Sequence, residues 1–299
     1  MAIRSKLFLI SLVSIFISTV VVAEPSGRQR GGRRCGFEPR SPREMAMMEA
    51  RVALAETFSP AVSAAAPINI PVVFHIIQSS DGGNEATSGK IAAQVSLLNS
   101  AYRGNFRFST SAINTVVNDA WFELQLDSTE TEAMVQALRV GDARTLNVYV
   151  HEPYIEEPSD VLGVASPPSD YREYPLYDGV YLHHTTLPGA SQSRYNKGKT
   201  LVHEVGHWLG LLHTHEPPRP DSRISSTNNG CRGKGDRVAD TPAERVPHFS
   251  CRATDSCPQQ PGLDPIRNFM SYTDDLCTRS FTSQQKKRML TMYRLYRQP

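Results

Sequence analysis

The chain has 299 residues, with 32 Lys and Arg against 30 Asp and Glu, and five cysteines. That length accommodates one large domain or two small ones, and the near balance of charge excludes the broad basic footprint of a nucleic-acid binder.

The first residues have the pattern of a secretory leader. Arg4 and Lys6 form a basic head, Leu7 to Val22 is almost wholly apolar, and Val21-Val22-Ala23 places small residues before Glu24. Residues 1–23 are expected to be a signal peptide cleaved after Ala23, which predicts a secreted, extracellular protein. The apolar stretch is sixteen residues long, short of the roughly 20 needed to span a bilayer, and no later segment qualifies. Arg28, Arg30, Arg33, Arg34, Arg40 and Arg43 lie in a Gly/Pro-containing stretch, which reads as an exposed segment open to proteases rather than a nucleic-acid arm.

Ser41-Pro42-Arg43-Glu44 opens a helix that runs to about Phe58, with Ser41 as N-cap and Pro42 at its first position. Ser59 to Pro67 is a linker in composition, so the main boundary is placed near residue 65. Ile68 to Gln78 reads as a first strand. Ile91, Val95, Leu98 and Tyr102 give Gly89–Arg103 a helical period. Trp121–Leu126, Leu146–Val150 and Val180–His183 are predicted strands, with loop from Pro153 to Pro175. Lys199–Leu212 is a helix, an irregular stretch fills roughly 217–267, and Thr282–Tyr296 closes the chain as an amphipathic helix. This order predicts an α+β domain with a cleft between two unequal halves.

The run His203-Glu204-Val205-Gly206-His207 places two imidazoles four residues apart, on one helical face. Gly210 permits the sharp turn that carries His213 round as a third ligand. Three imidazoles leave a fourth position open for water, as in a catalytic zinc site, with Glu204 beside the first ligand as the base. His215 competes with His213 but fits the turn less well. Gly230–Gly235 lacks the flanking strand and helix of a phosphate loop.

With this extended motif the chain resembles the metzincin metallopeptidases. Asn268-Phe269-Met270-Ser271-Tyr272, followed by Thr273-Asp274-Asp275 and Cys277, is similar to the Met-turn of the pappalysin (cytophagalysin) family. The resemblance implies a metzincin-like domain over residues 65–299: a twisted mixed sheet with a backing helix, and an active-site helix above an irregular lower subdomain that ends in a C-terminal helix. It also implies Met270 as the floor beneath the ligands and Tyr272 as a hydrogen-bond donor to the tetrahedral intermediate. Cys231, Cys251, Cys257 and Cys277 admit three pairings by sequence alone; the family implies Cys231–Cys257 and Cys251–Cys277. Cys35 in Arg33-Arg34-Cys35-Gly36 resembles the latency switches of some metzincin propeptides, in which a thiolate takes the fourth zinc position. Intermolecular pairing and a tolerated free thiol are the alternatives. On the latency reading, residues 24–64 are a propeptide.

Asp236, Asp240, Asp255 and Asp264 suit structural calcium, with solvated turns as the alternative. The expected function is zinc-dependent hydrolysis of peptide bonds in proteins by a secreted monomer, with Glu204 as general base and no nucleic-acid partner or membrane attachment after leader removal. Val180–His183 is expected to form the cleft's upper rim, shaped by His183 and His184. Asp274 and Asp275 suggest a basic preference beyond the cut bond. A zinc-dependent hydrolase of non-peptide substrates and a catalytically silent binding module are the competing classes.

Overall fold

Ile68–Gln78 carries apolar and β-branched side chains on both faces, the composition of a strand flanked on both sides by parallel neighbours. The computed structural model describes residues 35–36, 41–58, 66–156, 159–215, 231 and 235–298. All of these fall in one unit, Gly32–Pro299. The leader, the arginines from 28 to 34, Arg40 and the linker at 59–65 lie outside the described residues. In chain order the elements are α1 (Pro42–Phe58), β1 (Ile68–Gln78), α2 (Ser88–Ala101), β2 (Phe106–Val117), α3 (Asp119–Phe122), β3 (Glu123–Gln125) and α4 (Thr129–Leu138). There follow β4 (Leu146–Glu156), β5 (Ser159–Asp160), β6 (Gly163–Ala165), β7 (Val180–His183), α5 (Lys199–Trp208) and α6 (Ser283–Tyr296).

The main sheet runs β2-β1-β4-β7-β6. Its pairs are parallel except β6 with β7, which is antiparallel. Pro71 has no N–H to give, and the β1–β2 register shifts close by, between Val72 and Val73. Alternation along β4 and β7 sends Val148, Val150, Val180 and Leu182 to one face, against Ile91 and Leu98 of α2, Leu201, Val202 and Val205 of α5, and Met289 of α6. Tyr149 and Tyr181 point to the other face, against Leu124, Met134 and Val135. Burying such an aliphatic side chain contributes about 1.5–3 kcal/mol, so this layer, more than any surface ion pair, fixes α5 against the sheet. Among the described residues no helix is long and apolar enough to cross a membrane.

Several elements differ from the sequence reading. β2 was not expected, because beyond Phe106 and Phe108 it is largely polar and exposed; as an edge strand it is held by its backbone ladder to β1. Trp121 and Phe122 belong to the short helix α3, capped by the Asn118 side chain, so the expected strand shrinks to β3. α4 was also unexpected. β4 continues to Glu156 and is followed by β5 and β6, inside a stretch expected to be loop. β7 is not the rim: it is paired on both sides and all four residues are buried. The edge belongs to β6.

The lower half carries the disulfides Cys231–Cys257 and Cys251–Cys277. α6 starts with a capping box between Thr282 and Gln285. Beyond its end Arg297, 1% exposed, donates to both Asp178 carboxylate oxygens at 2.9 and 3.0 Å. It also donates to the carbonyls of Trp208 and Ala143, both at 3.0 Å. Its guanidinium lies 3.5 Å from the Trp208 ring centroid, so one side chain ties the C-terminus to the end of α5 and to the loop before β7.

Candidate active site

α5 begins after Gly198 without a side-chain cap of its own. The buried Asp275 carboxylate takes that role, accepting from Lys197 N at 2.8 Å and Lys199 N at 3.3 Å, a negative charge where the helix dipole favours one. Asp274 accepts from Arg194 Nε at 2.7 Å. The two acids suggested for substrate recognition are therefore already engaged with groups of the protein itself.

His203 and His207 leave α5 on one face, and their ring orientations are set by carbonyls. His203 Nδ1 lies 2.7 Å from Phe269 O, and His207 Nδ1 2.8 Å from Leu211 O. A carbonyl only accepts, so each Nδ1 carries the proton and each Nε2 keeps a lone pair. Burial, then the neighbouring His213, pushes His207 well below the ordinary imidazole pKa and keeps it neutral. The helix stops at Trp208. Gly210 has φ +89°, and Gly210 N and Leu211 N close the turn onto the carbonyls of His207 and Gly206 at 2.8 and 2.9 Å. The chain then returns with His213 Nε2 3.0 Å from His207 Nε2, which is 3.1 Å from His203 Nε2.

Cys35 joins these three: the four buried residues offer ligand atoms within 4.8 Å of one another. The Nε2 separations approach the edge, about 3.3 Å, of a tetrahedron with Zn–N bonds of 2.0–2.1 Å, so the donor set fits zinc. His215 is outside that set and stacks on His213, with ring centroids 5.0 Å apart. His183 and His184 are also outside it. Their Nδ1 atoms accept from Thr185 N and Glu85 N, and their Nε2 atoms face Glu152 at 3.9 and 3.8 Å.

Glu204 is fully buried, and Cys35 Sγ donates to its Oε2 at 3.4 Å. Two glycines make room for this contact. A Cβ on Gly163 would lie 2.7 Å from Glu204 Cγ, and one on Gly36 would lie 2.5 Å from side-chain atoms of both Ile155 and Val164. Cys35 bridges Gly163 in parallel, and Gly36 N donates to Gly163 O at 3.0 Å. The segment thus occupies the open edge of β6. No sequence pattern marked Gly163; only its place opposite Glu204 does.

Met270 is fully buried, and a Cβ on Gly206 would come within 2.5 Å of its sulfur, so Met270 packs directly against α5. The Tyr272 ring lies 4.8 Å from that of His213 and 5.9 Å from that of His203, and its hydroxyl donates to Cys35 O at 3.4 Å. The four aspartates considered for calcium are each engaged with a different backbone N–H. Asp236 accepts from Val238 N, Asp240 from Gln284 N, Asp255 from Cys257 N and Asp264 from Ser256 N. Among the described residues they form no cation cluster.

The Gly210 turn is open to a direct test. A Cβ there would meet Met292 at 2.7 Å while the backbone sits at positive φ. Gly210→Ala is expected to cost about 1–2 kcal/mol for the left-handed residue and about 1–3 kcal/mol for overpacking. Calorimetry should record a lowered melting temperature, and chelators should strip zinc more readily. An unchanged melting temperature would contradict this packing.

The family model described as Pregnancy-associated plasma protein-A, of the M43 peptidases, matches residues 130–293. An extracellular metalloprotease of Sordaria macrospora is 38% identical over 276 residues, covering 88% of each chain. One from Neurospora crassa is 38% identical over 247 residues, covering 79% of this chain and 78% of that one. Among solved structures, a promirolysin variant of Tannerella forsythia superposes with TM-score 0.68 at 24% identity, covering 89% of this chain and 95% of that one. Mature mirolysin of the same organism, in complex with a cleaved peptide, gives TM-score 0.60 at 25% identity, covering 79% and 100%. With the matched region spanning more than half of the sequence and the metzincin-like fold shared, the chain belongs to the pappalysin (M43) family of zinc metallopeptidases.

Proposed function

We propose that the protein is a secreted zinc endopeptidase that cleaves peptide bonds in proteins, made as a latent precursor. The convergence of His203, His207 and His213 Nε2 atoms beside the Glu204 carboxylate carries this reading. Zinc bound among the three imidazoles supplies a Lewis acid that polarises a carbonyl and makes water acidic, to a pKa of about 7. Glu204, fully buried and outside the ligand set, takes the attacking water's proton and passes it to the leaving amine. The Tyr272 hydroxyl donates to the oxyanion as the carbonyl carbon becomes tetrahedral. The open edge of β6 receives the substrate backbone as an added strand.

Cys35 and Gly36 occupy both that edge and the fourth donor position, which supports residues 24–64 as a propeptide and Cys35 as the group that keeps the precursor latent. Relatives named extracellular metalloproteases support export by the leader at 1–23. Asp255 and Asp264 accept hydrogen bonds from backbone groups nearby, and Asp236 and Asp240 from Gln285 and Gln284 at the start of α6; the metal proposed is zinc. The domain acts as a monomer with no membrane attachment.

Latency separates this reading from a silent binding module. Full-length Cys35→Ala, zinc-loaded, is expected to cleave casein without processing, whereas the parent is inactive until residues 24–64 are removed. 1,10-Phenanthroline should abolish both activities, and micromolar zinc restore them. Equal rates for the uncut parent and Cys35→Ala would overturn the latency role. Failure of the processed, zinc-loaded enzyme to cut any protein, with small esters still hydrolysed, would move the function to non-peptide substrates.

A further inference from the structure

Cys35 is not the only contact its segment makes with the domain. Met45, Met48 and Val52 share one face of α1 and are buried against Leu212 and Met292, with Leu295 and Tyr296 packed beside them. On the same face Glu49 receives a two-pronged ion pair from Arg288, at 2.6 and 3.1 Å. Arg288 is 4% exposed, and its Nε donates to Gly210 O at 3.0 Å. Lys287 pairs with Glu56 two turns along, at 2.9 Å. The opposite face of α1 is open, with Met47 55% and Leu54 60% exposed. The helix thus rests on α6 and on the turn that leads to His213, a surface separate from the cleft that Cys35 enters.

We propose that α6 and the Gly210–Leu212 turn form a binding site for α1 as a separable helix, held by its Met45, Met48 and Val52 face and by Glu49. On this view α1 and Cys35 form a bivalent inhibitor whose helical half retains the segment after the chain is cut. The proposal rests on reading residues 24–64 as a propeptide. Five residues, 37–41, separate the two anchors, so a docked α1 holds the thiol at high effective concentration beside the three imidazoles. Coupling of this kind raises avidity by about 10²–10⁴ over the weaker anchor alone. The buried pairing of Arg288 with Glu49 fixes the register of the helix, because either charge left alone in that contact is costly. Most of a helix's stability in a protein comes from the packing of its apolar face, so the dock also helps to fold α1, a helix of 17 residues. Cutting within 59–65 breaks neither anchor, which makes cleavage and activation separate events.

The test uses the full chain, zinc-loaded, with a recognition sequence for a site-specific protease inserted in 59–65. The parent, Met48→Asp, Glu49→Lys and Cys35→Ala then all yield the same catalytic domain on cutting. The cut parent should co-elute with its segment in gel filtration and stay inhibited. Met48→Asp and Glu49→Lys should lose the segment and become active at once, with release at least about 100-fold faster than in the parent. Cys35→Ala should be active with the segment still bound. Release from the parent as fast as from Met48→Asp and Glu49→Lys, or loss of the helix from cut Cys35→Ala, would overturn the dock. If uncut Cys35→Ala is instead as silent as the parent, the latency reading fails, while co-elution still measures docking independently.

Discussion

Glu204→Gln in the processed enzyme is expected to lower peptide hydrolysis by about 10²–10⁴-fold, the usual contribution of a positioned general acid–base, with zinc still bound. Glutamine keeps the size and burial of the native side chain but cannot take a proton from water. The fit is tight, since the absent Cβ of Gly163 would lie 2.7 Å from Glu204 Cγ, so an isosteric change separates lost chemistry from disturbed packing better than truncation does. The His203 and His207 rings are oriented by Phe269 O and Leu211 O, so one zinc per chain should remain by elemental analysis. A near-parental rate in Glu204→Gln would remove Glu204 from its role. Loss of zinc in that variant would instead place Glu204 among the groups that hold the metal.

Arg297→Ala is expected to destabilise the domain by about 3–5 kcal/mol, the cost of stranding a buried charge. Asp178 is 1% exposed. Once Arg297 is gone, Asp178 keeps Arg139, whose nitrogen lies 4.0 Å from the carboxylate. The Trp208 and Ala143 carbonyls lose a donor in the same step. Because Trp208 ends α5 directly after His207, the loss is felt beside the histidine cluster. The double variant Arg297→Met with Asp178→Leu should recover much of the stability, since replacing both charges with apolar groups removes the stranded carboxylate. Urea denaturation measures both, and a single-variant loss below about 1 kcal/mol would show that the pair contributes no more than a surface bridge.

Local spacing made part of this molecule readable in advance. His203 and His207 are a turn apart, Gly210 marks the bend, and β1 announces itself by its β-branched run, because each signal is contained within a dozen residues. The polar edge strand β2 gave no such signal, and its partner is chosen by backbone pairing rather than by an apolar face. The rim of the cleft was assigned to β7 because a short apolar run states that a strand exists but not which neighbours it acquires. Two neighbours bury β7 and leave the edge to β6. Gly163 carries no motif, yet its missing Cβ admits Glu204. The contact between Cys35 and Glu204 spans 169 positions, beyond the reach of any periodicity. Asp275 looked like a substrate-facing acid in sequence; its buried carboxylate instead caps the helix that carries His203 and His207.

Zinc X-ray absorption on the full-length chain and on a form beginning near residue 65 distinguishes a three-histidine zinc site capped by Cys35 from an uncapped one. Three nitrogen ligands and one sulfur at about 2.3 Å are expected in the full-length protein, with the sulfur replaced by a light-atom scatterer in the shortened form. A full-length spectrum without sulfur, and Cys35 recovered in a disulfide by mass spectrometry, would contradict the cap.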